Sequence, residues 1–120
     1  MAVADPVNIA RLLHFSDDAS DGLHTLIQLF LTDTGRTIEE LAAAVERSDA
    51  DAIRLLAHRA GGSSAVCGAA PLAALLFDLE NRATSATRDD DVQQMLAVTA
   101  EFAAVSTFLH RYLNDSGRHE

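Results

Sequence analysis

The chain carries five histidines, and His58 has the surroundings that chemistry would need. It stands in the stretch LAHRAGGSSAVCGAAPLAALL, residues 56–76. Arg54 lies four residues before it, Arg59 directly after, and Gly61 and Gly62 three and four residues on. An imidazole, with an unperturbed pKa of about 6.5, is in large part an unprotonated nucleophile at neutral pH. The glycines are the anomaly. Each costs a helix interior about 1 kcal/mol relative to alanine, so this Ala- and Leu-rich run is weakened right beside its histidine.

At about 100° per residue, and with Leu56 taken as the direction of the core, Ala60, Ser63 and Cys67 fall within about 40° of it and Ile53 within about 60°. His58 then points about 160° away, and Arg54, Gly61, Gly62 and Ala65 share that outer surface. The expectation is an exposed imidazole over a floor of small residues. Charge supports it. From Ala52 to Phe77 there is no Asp or Glu, although the chain has 18 acids in 120 residues and 18/120 × 26 gives about four for such a window. The full charges within it are Arg54 and Arg59. An acidic protein that keeps an apolar-to-cationic patch around one histidine is marking a contact surface.

Other chemistries find less support. Four-helix bundles that hold di-iron sites use Glu-x-x-His pairs, and none occurs here; His14, His24, His110 and His119 have no ligand partner at close spacing. Cys67 alone makes no zinc set. No residues are expected to hold a metal. Nothing resembles a nucleotide-binding loop, which argues against an autonomous kinase. The plain alternative is a solvated surface histidine, with the acid-free window a buried helical hairpin, Ser63 facing inward, the glycine pair a bend and Gly68 a helix end.

The elements that would position His58 follow from periodicity. A short helix is expected over about residues 7–15, after Asp5-Pro6. The cap formers SDDASDG (residues 16–22) restart the chain, and Leu23, Ile27, Phe30, Thr34, Ile38, Leu41 and Val45 then recur at steps of three and four. RSDAD (residues 47–51) is a turn with N-cap candidates. The helix of His58 follows, then Gly68 as a break. Pro71 opens a helix bearing Leu72, Leu75, Leu76, Leu79 and Ala83. RATSATRDDD (residues 82–91) is polar and turn-like, and a last helix shows Val92, Met95, Thr99, Phe102, Val105, Leu109 and Leu113. The expected fold class is all-α, an antiparallel up-down four-helix bundle over about residues 19–114 with a short extra N-terminal helix and a short flexible C-terminal tail. One domain of 120 residues is expected, with no internal repeat.

Composition agrees. The chain is 48% hydrophobic and 5% aromatic, a helical rather than a sheet mixture. A net charge of −9 argues against nucleic acid and anionic membranes as partners. One cysteine forms no internal disulfide and suits a reducing compartment. No charged-then-apolar leader opens the chain and no unbroken apolar run reaches 18 residues, so a soluble cytoplasmic protein is expected.

The stretch resembles the histidine-containing phosphotransfer (HPt) domain, whose signature runs roughly H-x-L-K-G-[SA]-[SA]-x-x-x-G-[AL]. Here it reads His58, Arg59, Ala60, Gly61, Gly62, Ser63, Ser64, then Gly68 and Ala69, with Leu72, Leu76 and the Leu79-Glu80 pair following. The family's lysine, three after the histidine, is Gly61 here, and its leucine is Ala60. The resemblance implies a phosphorelay role in two-component signalling: His58 as phosphoacceptor, taking a phosphoryl group from the aspartate of a response-regulator receiver domain and passing it to another. Arg54, in the lysine's absence, would support the phosphoryl group from the same face. Arg59, Leu55, Gly61, Gly62 and Ala65 would meet the partner. The chain itself would bind no cofactor, with Mg²⁺ expected on the receiver, and a hybrid histidine kinase is a further candidate partner. A free-standing monomer is expected, acting as a phosphotransfer intermediate. The missing lysine leaves a second reading: a non-phosphorylated adaptor that binds a receiver or kinase through the same patch. A third is a relative that inhibits its kinase.

Overall fold

Local signals at the chain reversals set the layout. In the computed structural model, which describes residues 5–14, 20–85 and 87–117, five helices follow one another: α1 (Ile9–His14), α2 (Ser20–Glu46), α3 (Ala50–Val66), α4 (Ala70–Arg82) and α5 (Arg88–Gly117). No strand occurs among the described residues. Between α2 and α3, Asp49 N–H donates to the Ala44 carbonyl at 3.0 Å while Ser48 takes the left-handed conformation at φ 54°. The Asp49 carboxylate then accepts from Ala52 N–H, capping α3 as RSDAD implied. Between α3 and α4, Gly68 has φ +79°, and a Cβ there would lie 2.6 Å from the Asn8 carbonyl oxygen. Only glycine fits on both counts. The same turn anchors α1, because Asn8 N–H donates to the Gly68 carbonyl at 2.9 Å. Thr87 and Asp90 exchange backbone N–H and side-chain bonds at the start of α5, a capping box.

α3 packs most extensively on α4 and next on α2, and α5 closes the ring against α2 and α4. The result is the four-helix bundle expected from periodicity. Every member of the α2 stripe, from Leu23 to Val45, is buried. From the other helices the core takes Ile53, Leu72, Leu76, Leu79, Met95, Val98, Val105 and Leu109. α5 is long and apolar enough to cross a membrane by length and composition, yet its Met95, Val98, Val105 and Leu109 are core residues of the bundle.

The fold departs from the expected boundaries at its polar ends. α1 begins at Ile9 rather than at residue 7, and Phe15 lies outside the described residues. α5 starts at Arg88, so half of the presumed turn is helical. Asp89, Asp90 and Asp91 sit in its first turn, where the helix dipole favours negative charge. Residues 115–117, expected as tail, still belong to α5, and 118–120 lie outside the described residues.

The orientation of α3 also differs. Its buried residues are Ile53, Ala57, Ala60, Gly61 and Ser64, a face centred about 80° around the helix from Leu56. Leu56 is half-buried at the margin, and Ser63 is exposed rather than inward. The cause is the closeness of α4: small residues let the two backbones approach, and the bulkier leucine stays at the edge. Ser64 satisfies its buried hydroxyl by donating to the Ala60 carbonyl at 2.8 Å.

Candidate functional site

Positions 58 and 80 lie 11 residues either side of Ala69 (69 − 58 and 80 − 69), so the antiparallel α3–α4 hairpin sets them level with one another. The side chains meet there. His58 Nδ1 lies 3.1 and 3.0 Å from the two carboxylate oxygens of Glu80. A carboxylate oxygen accepts and does not donate, so the proton of a neutral His58 ring belongs on Nδ1. That leaves the lone pair on Nε2, across the ring. The His58 side chain is 68% exposed, whereas that of Glu80 is only 24% exposed. The geometry is an imidazole fixed in one tautomer and held at the surface by a carboxylate set lower in it.

One helical turn nearer the hairpin, Gly61 faces Phe77. The two glycines that look equivalent in sequence have different surroundings. A Cβ at Gly61 would lie 2.7 and 2.8 Å from Phe77 Cε1 and Cδ1, so Gly61 is buried beneath an aromatic ring instead of forming an open floor. A Cβ at Gly62 would meet nothing within 4 Å. Gly62 alone leaves bare backbone, one turn beyond His58 on nearly the same face.

The patch around His58 is not free of acid in space, although its sequence window is. Glu80 reaches it from α4, and Asp51 bonds Arg54 Nη2 at 3.4 Å. What persists is apolar surface. Among the described residues, three of the four large hydrophobic side chains that stand exposed are Leu29, Leu55 and Val66. Leu55, Gly62 and Val66 follow one stripe of α3. Gly62 and Val66 also line an open groove of about 480 Å³ against Leu26 and Leu29 of α2.

A family model for the Hpt domain matches residues 25–108 of this sequence. The chain belongs to the Hpt domain family. The Hpt fold is matched in turn by a solved structure, histidine-containing phosphotransfer protein B from Pseudomonas aeruginosa. The TM-score is 0.85 at 25% sequence identity, covering 94% of this chain and 98% of that one. No curated protein matches the chain by sequence.

Within this Hpt domain the expected contact residues are distributed unevenly. Arg59 and Leu55 are exposed on α3 and Ala65 is half-buried. Arg54, expected to stand in for the lysine, is held instead by Asp51 within its own first helical turns. That bond joins two exposed side chains, 57% and 89% accessible, and is weak enough to be given up. His24 is half-buried, with its Nε2 unpartnered among the described residues, and His110 bonds Ser106 on its own helix. Of the remaining histidines, His119 lies outside the described residues.

Glu80 and Phe77 are absent from the site residues expected from sequence. Glu80 contributes there only to the Leu79-Glu80 match, with no role attached. The available signal was the symmetry about the turn, since 58 pairs with 80 and 61 with 77, each averaging 69. Burial elsewhere lowers reactivity: desolvation pushes the Cys67 thiol up to about 11, which makes it an inert core residue.

Proposed function

We propose that His58 is the phosphoacceptor of this Hpt domain and exchanges a phosphoryl group with aspartates of response-regulator receiver domains. The observation that carries this reading is the pairing of His58 Nδ1 with Glu80, which leaves Nε2 as the outward nucleophile. The Nε2 lone pair attacks the phosphorus of an aspartyl phosphate. The N–P bond forms, the P–O bond to the aspartate breaks, and the aspartate leaves as a carboxylate. The Nδ1 proton stays in place, and the positive charge that grows on the ring is offset by Glu80. The reverse step loads a second receiver. Phosphoryl transfer depends on positioning and charge stabilisation. The receiver's Mg²⁺ would supply most of the charge, and this chain the rigid nucleophile.

Leu29, Leu55 and Val66, together with the bare backbone of Gly62, form the surface on which the receiver would seat, and Arg59 would meet its rim. The carrier would work as a cytoplasmic monomer, where its cysteine stays reduced. Incubation with a phosphorylated receiver and Mg²⁺ tests the reading: acid-labile, base-stable label must appear on the chain and vanish in His58→Gln. A second reading, the non-phosphorylated adaptor, is favoured by the glycine at position 61 and by the pairing of Arg54 with Asp51. It predicts receiver binding without any label.

A further inference from the structure

The role of Gly61 is not explained by access, because an aromatic ring covers it. On α3, His58 and Gly61 are three residues apart; on α4, so are Phe77 and Glu80, and each pair shares a helix face. The hairpin sets these four residues in a square, with 58 opposite 80 and 61 opposite 77. The Phe77 ring centroid lies 6.4 Å from that of His58, with the planes tilted by 55°, inside the range over which aromatic rings attract one another. His58 is mostly exposed, so two contacts restrain it: the Glu80 carboxylate at Nδ1 and the Phe77 ring at its flank.

The geometry points to Phe77 as a positioning residue for the phosphoacceptor, and to Gly61 as the residue that admits it. Glu80 fixes the tautomer and one end of the imidazole. Phe77 blocks the rotation that this single attachment leaves open, which keeps Nε2 aimed along the line of transfer. The ring reaches its place because position 61 has no Cβ; the nearest ring carbon would be 2.7 Å away. Phe77 is half-buried and borders an open groove of about 380 Å³ with Ala65, Ala73 and Ala74. A displaced ring therefore has room to swing, and Gly61→Ala can evict it from His58 while leaving both aromatic side chains intact.

This inference rests on His58 being the phosphoacceptor, and the experiment separates the two. Wild type, Phe77→Leu, Phe77→Tyr and Gly61→Ala are compared by single-turnover transfer from a phosphorylated receiver, by receiver affinity, and by NMR of the carbon-bound ring protons of His58. Phe77→Leu and Gly61→Ala should both shift those proton signals and slow transfer about tenfold at saturating receiver, since misalignment of a reacting atom costs up to about a hundredfold per ångström. Receiver affinity should stay unchanged, and Phe77→Tyr, which keeps the ring, should transfer like wild type. Full-rate transfer in Phe77→Leu, or a loss of affinity that accounts for the slower rate, overturns the positioning role. Unshifted His58 signals in both variants overturn the contact itself. If wild type takes no label at all, the phosphoacceptor reading fails, and this inference fails with it.

Discussion

Gly62→Ala separates access from stability in one substitution. The new methyl would meet nothing within 4 Å, so it costs the fold no packing. It removes the helix-interior glycine penalty, a gain of about 1 kcal/mol. For a domain of this size that is a rise in melting temperature of about 3–6 °C. Function should move the other way. Gly62 lies one turn from His58 in the exposed stripe with Leu55 and Val66, and a methyl there holds the receiver off its close approach. Forcing an extra methyl into a packed contact costs about 1–3 kcal/mol, and each 1.4 kcal/mol corresponds to about tenfold in an equilibrium or rate. Thermal melts and single-turnover transfer from a phosphorylated receiver supply the two readouts. Gly35→Ala is the control, since its new Cβ would lie at 3.4 Å from the Phe102 ring on α5; its transfer rate should not change. A Gly62→Ala protein that melts higher and still transfers at the wild-type rate would refute the idea that the backbone is bare for the partner's sake.

Further expectations follow from individual groups. Glu80→Gln keeps a hydrogen-bonding side chain opposite His58 but offers an amide that both donates and accepts; ¹⁵N spectra of the ring should show loss of the single Nδ1–H tautomer, and transfer should slow. Burial raises the Asp91 carboxyl above its usual 3.8, with the Arg82 guanidinium pulling it back and Asp90 pushing it up again. The folded state therefore holds that proton more tightly than the unfolded chain. Its contribution is complete below the unfolded value and is lost as pH rises through the folded one. Asp91→Asn cannot ionise, so its melting temperature should gain on wild type as pH climbs above about 4. Cys67, pushed up to about 11 by burial, should resist iodoacetamide in the native protein at neutral pH and react once the chain is unfolded.

Much of the bundle was legible because large side chains recur at helical spacing. The α2 stripe shows it, and each of its seven members is buried. α3 was read with its inner face turned about 80° too far, for the same reason in reverse: Ile53, Ala60 and Cys67 are buried as expected, and Ser63 is not. Leu56 is the bulky residue there, but Ala57, Ala60, Gly61 and Ser64 face α4, where close backbones leave no room for bulk. The polar ends failed because capping and the dipole, rather than burial, carry α5 back to Arg88. At the site, an outward His58 was legible from its neighbours. Its partners were not, because Glu80 is 22 residues distant and meets it only through the hairpin. The glycine pair carried one meaning in sequence and has two in space: Gly61 seats Phe77, and Gly62 stays open.

The central claim is that one nitrogen of one side chain is presented for reaction while the other is held by Glu80. Phosphorus–nitrogen NMR of the ¹⁵N-histidine-labelled protein, after loading by a phosphorylated receiver, tests it directly. The account predicts a single phosphoryl group on Nε2 of His58, with the Nδ1 proton still bonded to the carboxylate. Phosphate on Nδ1 or on another residue would contradict it, as would a receiver that binds and keeps its phosphoryl group.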